Sequence, residues 1–308
     1  MTKKLKVAAA QLSPVFLNKE KTVDKACKAI IEAGKNGANL IVFPEAFISG
    51  YPDWVWLIPN SKGADLNELY LKLVENAVSV PDDSTKRLCE AAKTAGINVV
   101  MGMHERNTET SSASLFNSLL FIDDKGLVLG KHRKLIPTGG ERLIWSQGDG
   151  STLTSYDTSA GRIAGLICWE NYMPLARMSM YLKGVEIYIA PTADSREQWT
   201  ATMQQIALEG RGFVLGCNQY MTTSMYPEQY KNEIIGQPEN FCPGGSVIIS
   251  RLGKIIQGPL FDKAGVLTAE LDLEDIKRSK LDFDVIGHYA RNDIFDFKVK
   301  GQPDINKE

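Results

Sequence analysis

Short apolar runs alternate with helix-spaced patterns along the chain. Residues 6–10 are a β-type run that predicts a first strand. Val23, Ala26, Cys27, Ile30 and Ile31 then recur at spacings of three and four, which lines one face of a helix that Gly34 can end and turns Cys27 toward the core. Residues 40–43 are continuously apolar and stopped by Pro44, the pattern of a strand buried on both faces, and Glu45 stands just past its end.

A second helix is predicted from Asp83 or Ser84 to Gly96, with Leu88, Cys89, Ala92 and Ala95 inside, and a strand follows over 97–103. Strands at 115–122 and 127–130 flank Asp123-Asp124-Lys125-Gly126, a hairpin loop. A strand over 162–167 runs straight into Cys168, and a helical stretch follows Pro174 and ends near Gly184. Beyond it come a strand at 185–190, a loop at Pro191-Thr192-Ala193-Asp194, a helix over 198–208 and strands at 213–217, 246–250 and 266–271. This alternation implies layered sheet and helix, an α/β class. No linker, low-complexity tract or repeat divides it, so one domain is expected over 1–295 with a short tail at 296–308.

Composition narrows the function classes. With 35 basic against 37 acidic residues the formal net charge is −2, so no broad positive field invites nucleic acid or an anionic membrane. Five scattered cysteines form no disulfide framework and predict reduced thiols. The amino end has only four apolar residues before Gln11, too few for a signal-peptide core, and no run reaches the roughly 18 of a membrane span. The expectation is a cytoplasmic protein whose partner is a small molecule or another chain.

Three chemistry-bearing residues share one situation, at or just beyond a strand end, where loops converge on a rigid sheet. Cys168 closes an apolar strand in Gly165-Leu166-Ile167-Cys168-Trp169-Glu170-Asn171, a strand-to-helix transition whose peptide N–H groups can activate a thiol and bind an oxyanion. Cys27, Cys89 and Cys217 are assigned to packing. A thiolate nucleophile needs a base and a donor for developing negative charge. None of His104, His132 and His288 lies in a papain-like motif, whereas Glu45 and Lys134 supply a carboxylate and a cation at strand ends.

The local strings are more specific than the single residues. Phe43-Pro44-Glu45-Ala46-Phe47, His132-Arg133-Lys134-Leu135-Ile136-Pro137-Thr138 and Cys168-Trp169-Glu170-Asn171-Tyr172-Met173-Pro174-Leu175-Ala176-Arg177 resemble, in order and spacing, the three catalytic blocks of the nitrilase superfamily of carbon–nitrogen hydrolases. Flanking strings extend the resemblance: Ala9-Ala10-Gln11, Tyr51-Pro52, Glu141-Arg142, Gly148-Asp149-Gly150 and Gly287-His288-Tyr289-Ala290-Arg291. Cys168-Trp169-Glu170 and Pro191-Thr192-Ala193-Asp194-Ser195-Arg196 look most like the true nitrilase branch, plant-type members included. Asn292 departs from the proline often found there, which touches the carboxyl-terminal segment and not the reaction.

The resemblance implies an α-β-β-α sandwich and a homo-oligomer, a dimer or higher. It also implies a reaction, hydrolysis of an organic nitrile to the carboxylic acid and ammonia. Glu45 is then the general base, Cys168 the nucleophile that forms a thioimidate and later a thioester, and Lys134 with the Trp169 N–H the charge stabiliser. Glu141 corresponds to the family's second glutamate, an orienting group or proton carrier; a surface pair with Arg142 is the competing reading. Tyr51, Trp54 and Trp56 are candidates for an aromatic wall, and Thr138, Trp169 and Thr192 for further substrate contacts, with Trp169 also packing beneath the nucleophile. Water is the co-substrate. No cofactor or metal is implied, since the histidines and cysteines lack ligand spacing. An amidase or carbamoylase, or a cyanide hydratase stopping at the amide, would use the same residues, and a silent scaffold would show no turnover.

Overall fold

The computed structural model describes residues 4–234 and 236–300. Its first half runs β1 (Lys4–Gln11), α1 (Lys19–Lys35), β2 (Leu40–Val42), α2 (Trp54–Leu57), α3 (Gly63–Glu75), α4 (Asp83–Ala95), β3 (Asn98–Arg106), β4 (Leu115–Ile122) and β5 (Val128–Arg133). The second half runs β6 (Tyr156–Thr158), β7 (Gly161–Gly165), α5 (Pro174–Leu182), β8 (Ile187–Thr192), α6 (Glu197–Gly210), β9 (Phe213–Asn218), β10 (Tyr220–Met221), β11 (Cys242–Ile249), β12 (Ile255–Phe261), β13 (Gly265–Asp272) and α7 (Glu274–Ser279).

Two sheets result. One has the order β13-β1-β2-β3-β4-β5; the other has β10-β11-β9-β8-β7-β6, with β12 added against β11. Strand alternation builds the layers, because successive side chains point to opposite faces. Val7, Ala9, Leu40 and Val42 join Ile163, Ile187, Ile189 and Leu215 in the core between the sheets, while Ala8, Ala10 and Ile41 face outward onto Val23, Ile30, Leu88 and Ala92 of α1 and α4. On the far side, Ala164, Tyr188, Ala190 and Val214 meet Met180, Trp199, Met203 and Ile206 of α5 and α6. Each large aliphatic buried this way contributes about 1.5–3 kcal/mol. The architecture is the α-β-β-α sandwich.

Several boundaries differ from the sequence expectation, for physical reasons. Gly34 does not end α1, which continues to Lys35; a Cβ there would sit 2.7 Å from the Ala95 carbonyl oxygen, so this glycine lets α1 and α4 approach closely. β5 extends to Arg133, paired with Ser118, and brings Lys134 to the strand end itself. β8 absorbs the expected loop at 191–192. The Ile189 carbonyl accepts from Leu166 on the β7 side, Pro191 has the same parity, and β7 has ended at Gly165, so the missing N–H interrupts no ladder. β11 begins at Cys242, four residues before the expected strand, and accommodates Gly244 and Gly245 at positive φ. Of the expected tail, 301–308 lie outside the described residues, and Val299 packs against the α5–α6 side. Among the described residues no helix is long and apolar enough to cross a membrane.

Candidate active site

β2, β5, β7 and β8 deliver their carboxyl ends to one place. Glu45 follows β2 through Phe43-Pro44, and Ala46 at φ 49° turns the chain away beyond it. Lys134 directly follows β5. Cys168 follows β7 through Leu166-Ile167 and sits at φ 51°, in the left-handed region, where a side chain other than glycine is strained by about 1–2 kcal/mol. The surrounding bonds hold that elbow in place. Asn171 Nδ2 donates to the carbonyls of Leu166 and Cys168 at 2.9 and 2.8 Å. The Glu170 carboxylate accepts the N–H of Ile167 at 2.7 Å and that of Leu135 at 2.6 Å, and His132 Nε2 lies 3.1 Å from it. Glu170 thereby ties the cysteine turn to the lysine strand.

The charged groups form one buried cluster. Lys134 Nζ is 2.7 Å from Glu45 Oε1 and 2.7 Å from Glu141 Oε2, with all three side chains at most 1% exposed. Asn117 Nδ2 and the Ala193 N–H donate to the two oxygens of Glu45 at 2.7 and 2.9 Å. Glu141 accepts from Tyr51 Oη at 2.6 Å and from the Thr138 N–H at 2.7 Å. The alternative of a surface carboxylate paired with Arg142 is therefore wrong. Thr192 Oγ1 donates to Cys168 Sγ at 3.2 Å.

Burial sets the electrostatics. It raises Glu45 above the ordinary carboxylate range, Lys134 opposes that and the neighbouring charge of Glu141 adds to it. For Lys134 burial disfavours the charge, but Glu45, Cys168 and Glu141 outweigh it and hold the ammonium protonated. Burial and then the Glu45 charge push the Cys168 thiol up, against Lys134 and the Thr192 hydrogen bond. The resting arrangement is a thiol beside a base of raised basicity and a fixed cation, which suits proton transfer from sulfur as a bond to carbon forms.

The thiol opens on a cleft of about 260 Å³. Tyr51, Thr138, Trp169 and Glu141 line it, while Glu45 and Lys134 stand behind the sulfur together with Thr192, which does not line the cleft as a substrate contact would. Trp54 is a correction. It is 3% exposed within the core that holds Leu69, Leu73 and Trp145, and Trp56 lines the cleft in its place. Positions two apart on a helix differ by about 200°, so one turn of α2 cannot present both rings to the same side. For Trp169 only the packing expectation is corrected: the ring does not lie beneath the sulfur but forms a cleft wall 40% exposed, its Nε1 donating to Asp194 at 2.8 Å and the Arg196 guanidinium 4.9 Å over its ring.

Some participants had no assigned role in the sequence. Asn117 lies inside an apolar strand and gives no signal. Glu170 does give one, three residues after Ile167, whose N–H it caps. Asp53, on the cleft wall, accepts from Tyr226 Oη at 3.1 Å, and burial pushes its carboxyl up to about 7. Among the described residues no three potential ligands converge on a metal position.

Comparison with known proteins agrees with this geometry. The chain matches the family model for carbon-nitrogen hydrolases over residues 6–280. It is 44% identical to an aliphatic nitrilase of Sinorhizobium fredii (strain HH103) over 97% of both chains, and 44% identical to a bifunctional nitrilase/nitrile hydratase of Nicotiana tabacum over 97% of this chain and 87% of that one. Its fold is similar to that of Saccharomyces cerevisiae Nit3, a nitrilase-superfamily member, with a TM-score of 0.74 at 23% identity over 93% of this chain and 97% of that one. Matched along nearly its whole length, the chain belongs to the carbon–nitrogen hydrolase family and, within it, to the nitrilase branch.

Proposed function

We propose that the protein hydrolyses an organic nitrile to the carboxylic acid and ammonia through covalent intermediates on Cys168. The observation that carries this reading is the wholly buried Glu45–Lys134–Glu141 cluster set against a thiol that opens on a cleft. Glu45 takes the thiol proton as sulfur adds to the nitrile carbon, and the proton passes to nitrogen. Lys134 and the Trp169 N–H stabilise the charge that develops on the substrate. Water activated by Glu45 adds to the thioimidate, ammonia leaves, and a second water cleaves the thioester. Glu141 holds Lys134 and Tyr51 in position. Trp56, Tyr51 and Trp169 form an aromatic wall suited to an apolar or aryl substituent.

A homo-oligomer is part of the reading. Leu175 on α5 and Leu208 on α6, 71% and 40% exposed, are apolar groups that a second copy can cover. The test of function is a panel of aliphatic, aryl and arylaliphatic nitriles, and the matching amides, with ammonia, acid and amide all quantified. Acid with equimolar ammonia is expected from the nitriles. Turnover of amides alone would make the protein an amidase, and amide as sole product from every nitrile would make it a hydratase.

A further inference from the structure

Residues 192–194 touch both the base and the nucleophile. The Ala193 N–H donates to Glu45 Oε2 at 2.9 Å, and the Asp194 N–H donates to Thr192 Oγ1 at 2.9 Å. That second bond orients the hydroxyl. A fixed N–H occupies one lone pair of Oγ1, and the remaining hydrogen-bond partner of this oxygen among the described residues is Cys168 Sγ at 3.2 Å, so the hydroxyl proton points at sulfur. Thr192 is fully buried at the end of β8 and has no solvent to turn toward.

We propose that Thr192 is a catalytic residue whose hydroxyl donates to the Cys168 sulfur when it is negatively charged, and thereby sets how the tetrahedral intermediate divides between acid and amide. The proposal deepens the nitrile-hydrolysis reading, and its product measurement rests on that reading. Water addition to the thioimidate gives a carbon bearing hydroxyl, amino and cysteinyl sulfur groups. On the acid route nitrogen takes a proton from the Glu45 carboxyl, the C–N bond breaks with its electron pair on nitrogen, and ammonia leaves. The hydroxyl proton returns to the Glu45 carboxylate, ionised by that transfer, as the thioester carbonyl forms. On the amide route the C–S bond breaks with its pair on sulfur, and the hydroxyl proton goes to ionised Glu45 as the amide carbonyl forms. A donor aimed at sulfur stabilises the departing thiolate and speeds the amide route, whereas the protonated base aids departure of ammonia. One short segment therefore holds the groups that promote both exits.

Thr192→Val removes the donor and keeps the shape; Thr192→Ser keeps the donor. The first measurement is the rate of carboxamidomethylation of Cys168 by iodoacetamide against pH, with Cys168→Ala as the blank for the other thiols; it needs no nitrile. A hydrogen bond to a charged group shifts an equilibrium by about tenfold or more, so the pH midpoint for Thr192→Val is expected to rise by about one unit while Thr192→Ser stays with wild type. The second measurement is the amide share of product from one nitrile, expected to fall about tenfold in Thr192→Val and to be restored in Thr192→Ser. Should Thr192→Val fail to fold, Thr192→Ala carries the same readings. A midpoint and product ratio unchanged in the variant lacking the hydroxyl overturn the proposal, as does a Thr192→Ser variant displaced as far as Thr192→Val, which makes the residue merely structural. A wild-type enzyme inert toward all nitriles, with the alkylation midpoint still moved by Thr192→Val, sinks the nitrile reading and leaves the thiolate contact standing.

Discussion

Glu141→Gln isolates the electrostatic part of the buried cluster, because the amide can keep its hydrogen bonds. Its oxygen accepts from Lys134 and the Thr138 N–H, and its NH₂ donates to Tyr51 Oη, whose proton turns away. What the variant loses is one negative charge. Both carboxylates lie 2.7 Å from the same Lys134 nitrogen, which places their charges about 5 Å apart. At an effective dielectric constant of about 20 that repulsion is worth about 3 kcal/mol. It makes protonation of Glu45 easier, so its removal lowers the Glu45 pKa, and Lys134, left with a single partner, acts in the same direction. Since the base must be ionised to accept the thiol proton, the acid limb of kcat/KM against pH is expected to move down by about two pH units. The assay is the pH profile of ammonia release from an uncharged nitrile, with thermal unfolding as a check on folding. An acid limb that stays in place or moves up in a folded variant would refute the reasoning.

Three further outcomes follow from the geometry. Cys168→Ala is expected to abolish turnover with the fold intact, since one sulfur leaves only a small cavity, while Cys27→Ala keeps activity; retention of more than a trace of activity in Cys168→Ala would remove the nucleophile assignment. Lys134→Gln is expected to lower kcat and also to cost about 3–5 kcal/mol, because two buried carboxylates lose their cation, with a deficit that grows as pH rises and Glu45 ionises; denaturant unfolding at two pH values measures it. Asp53, held near 7 in the fold against 3.8 ordinarily, destabilises increasingly between those values, so Asp53→Asn is expected to raise Tm most above pH 7 and not at all below pH 3.8. A gain independent of pH would contradict that sign.

The local sequence by itself determined the layered α/β class and singled out Glu45, Lys134 and Cys168 as candidates at strand ends. Periodicity marked β1, β2 and β4 and helices α1, α4 and α6, because amphipathic and doubly buried elements carry their environment in their own side chains. The blocks around Glu45, Lys134 and Cys168 carried the resemblance, since each of these residues lies within three positions of the strand that positions it. Tertiary structure decided what depends on neighbours distant in the chain. Asn117, inside β4, became a donor to Glu45 only because two strand ends meet there. Trp54 and Trp56 have the same side chain two positions apart, and the packing of one helical turn put the first in the core and the second in the cleft. Gly34 looked like a helix stop and proved to be a contact point for α4, a distinction made by the distance between helices. Thr192 sat in what looked like a loop, but a parallel neighbour on one side and an ended ladder on the other kept it in β8 and aimed its hydroxyl at sulfur. Local propensity is written in adjacent residues, whereas hydrogen-bond partners and the direction of a side chain are fixed by whatever the fold brings alongside.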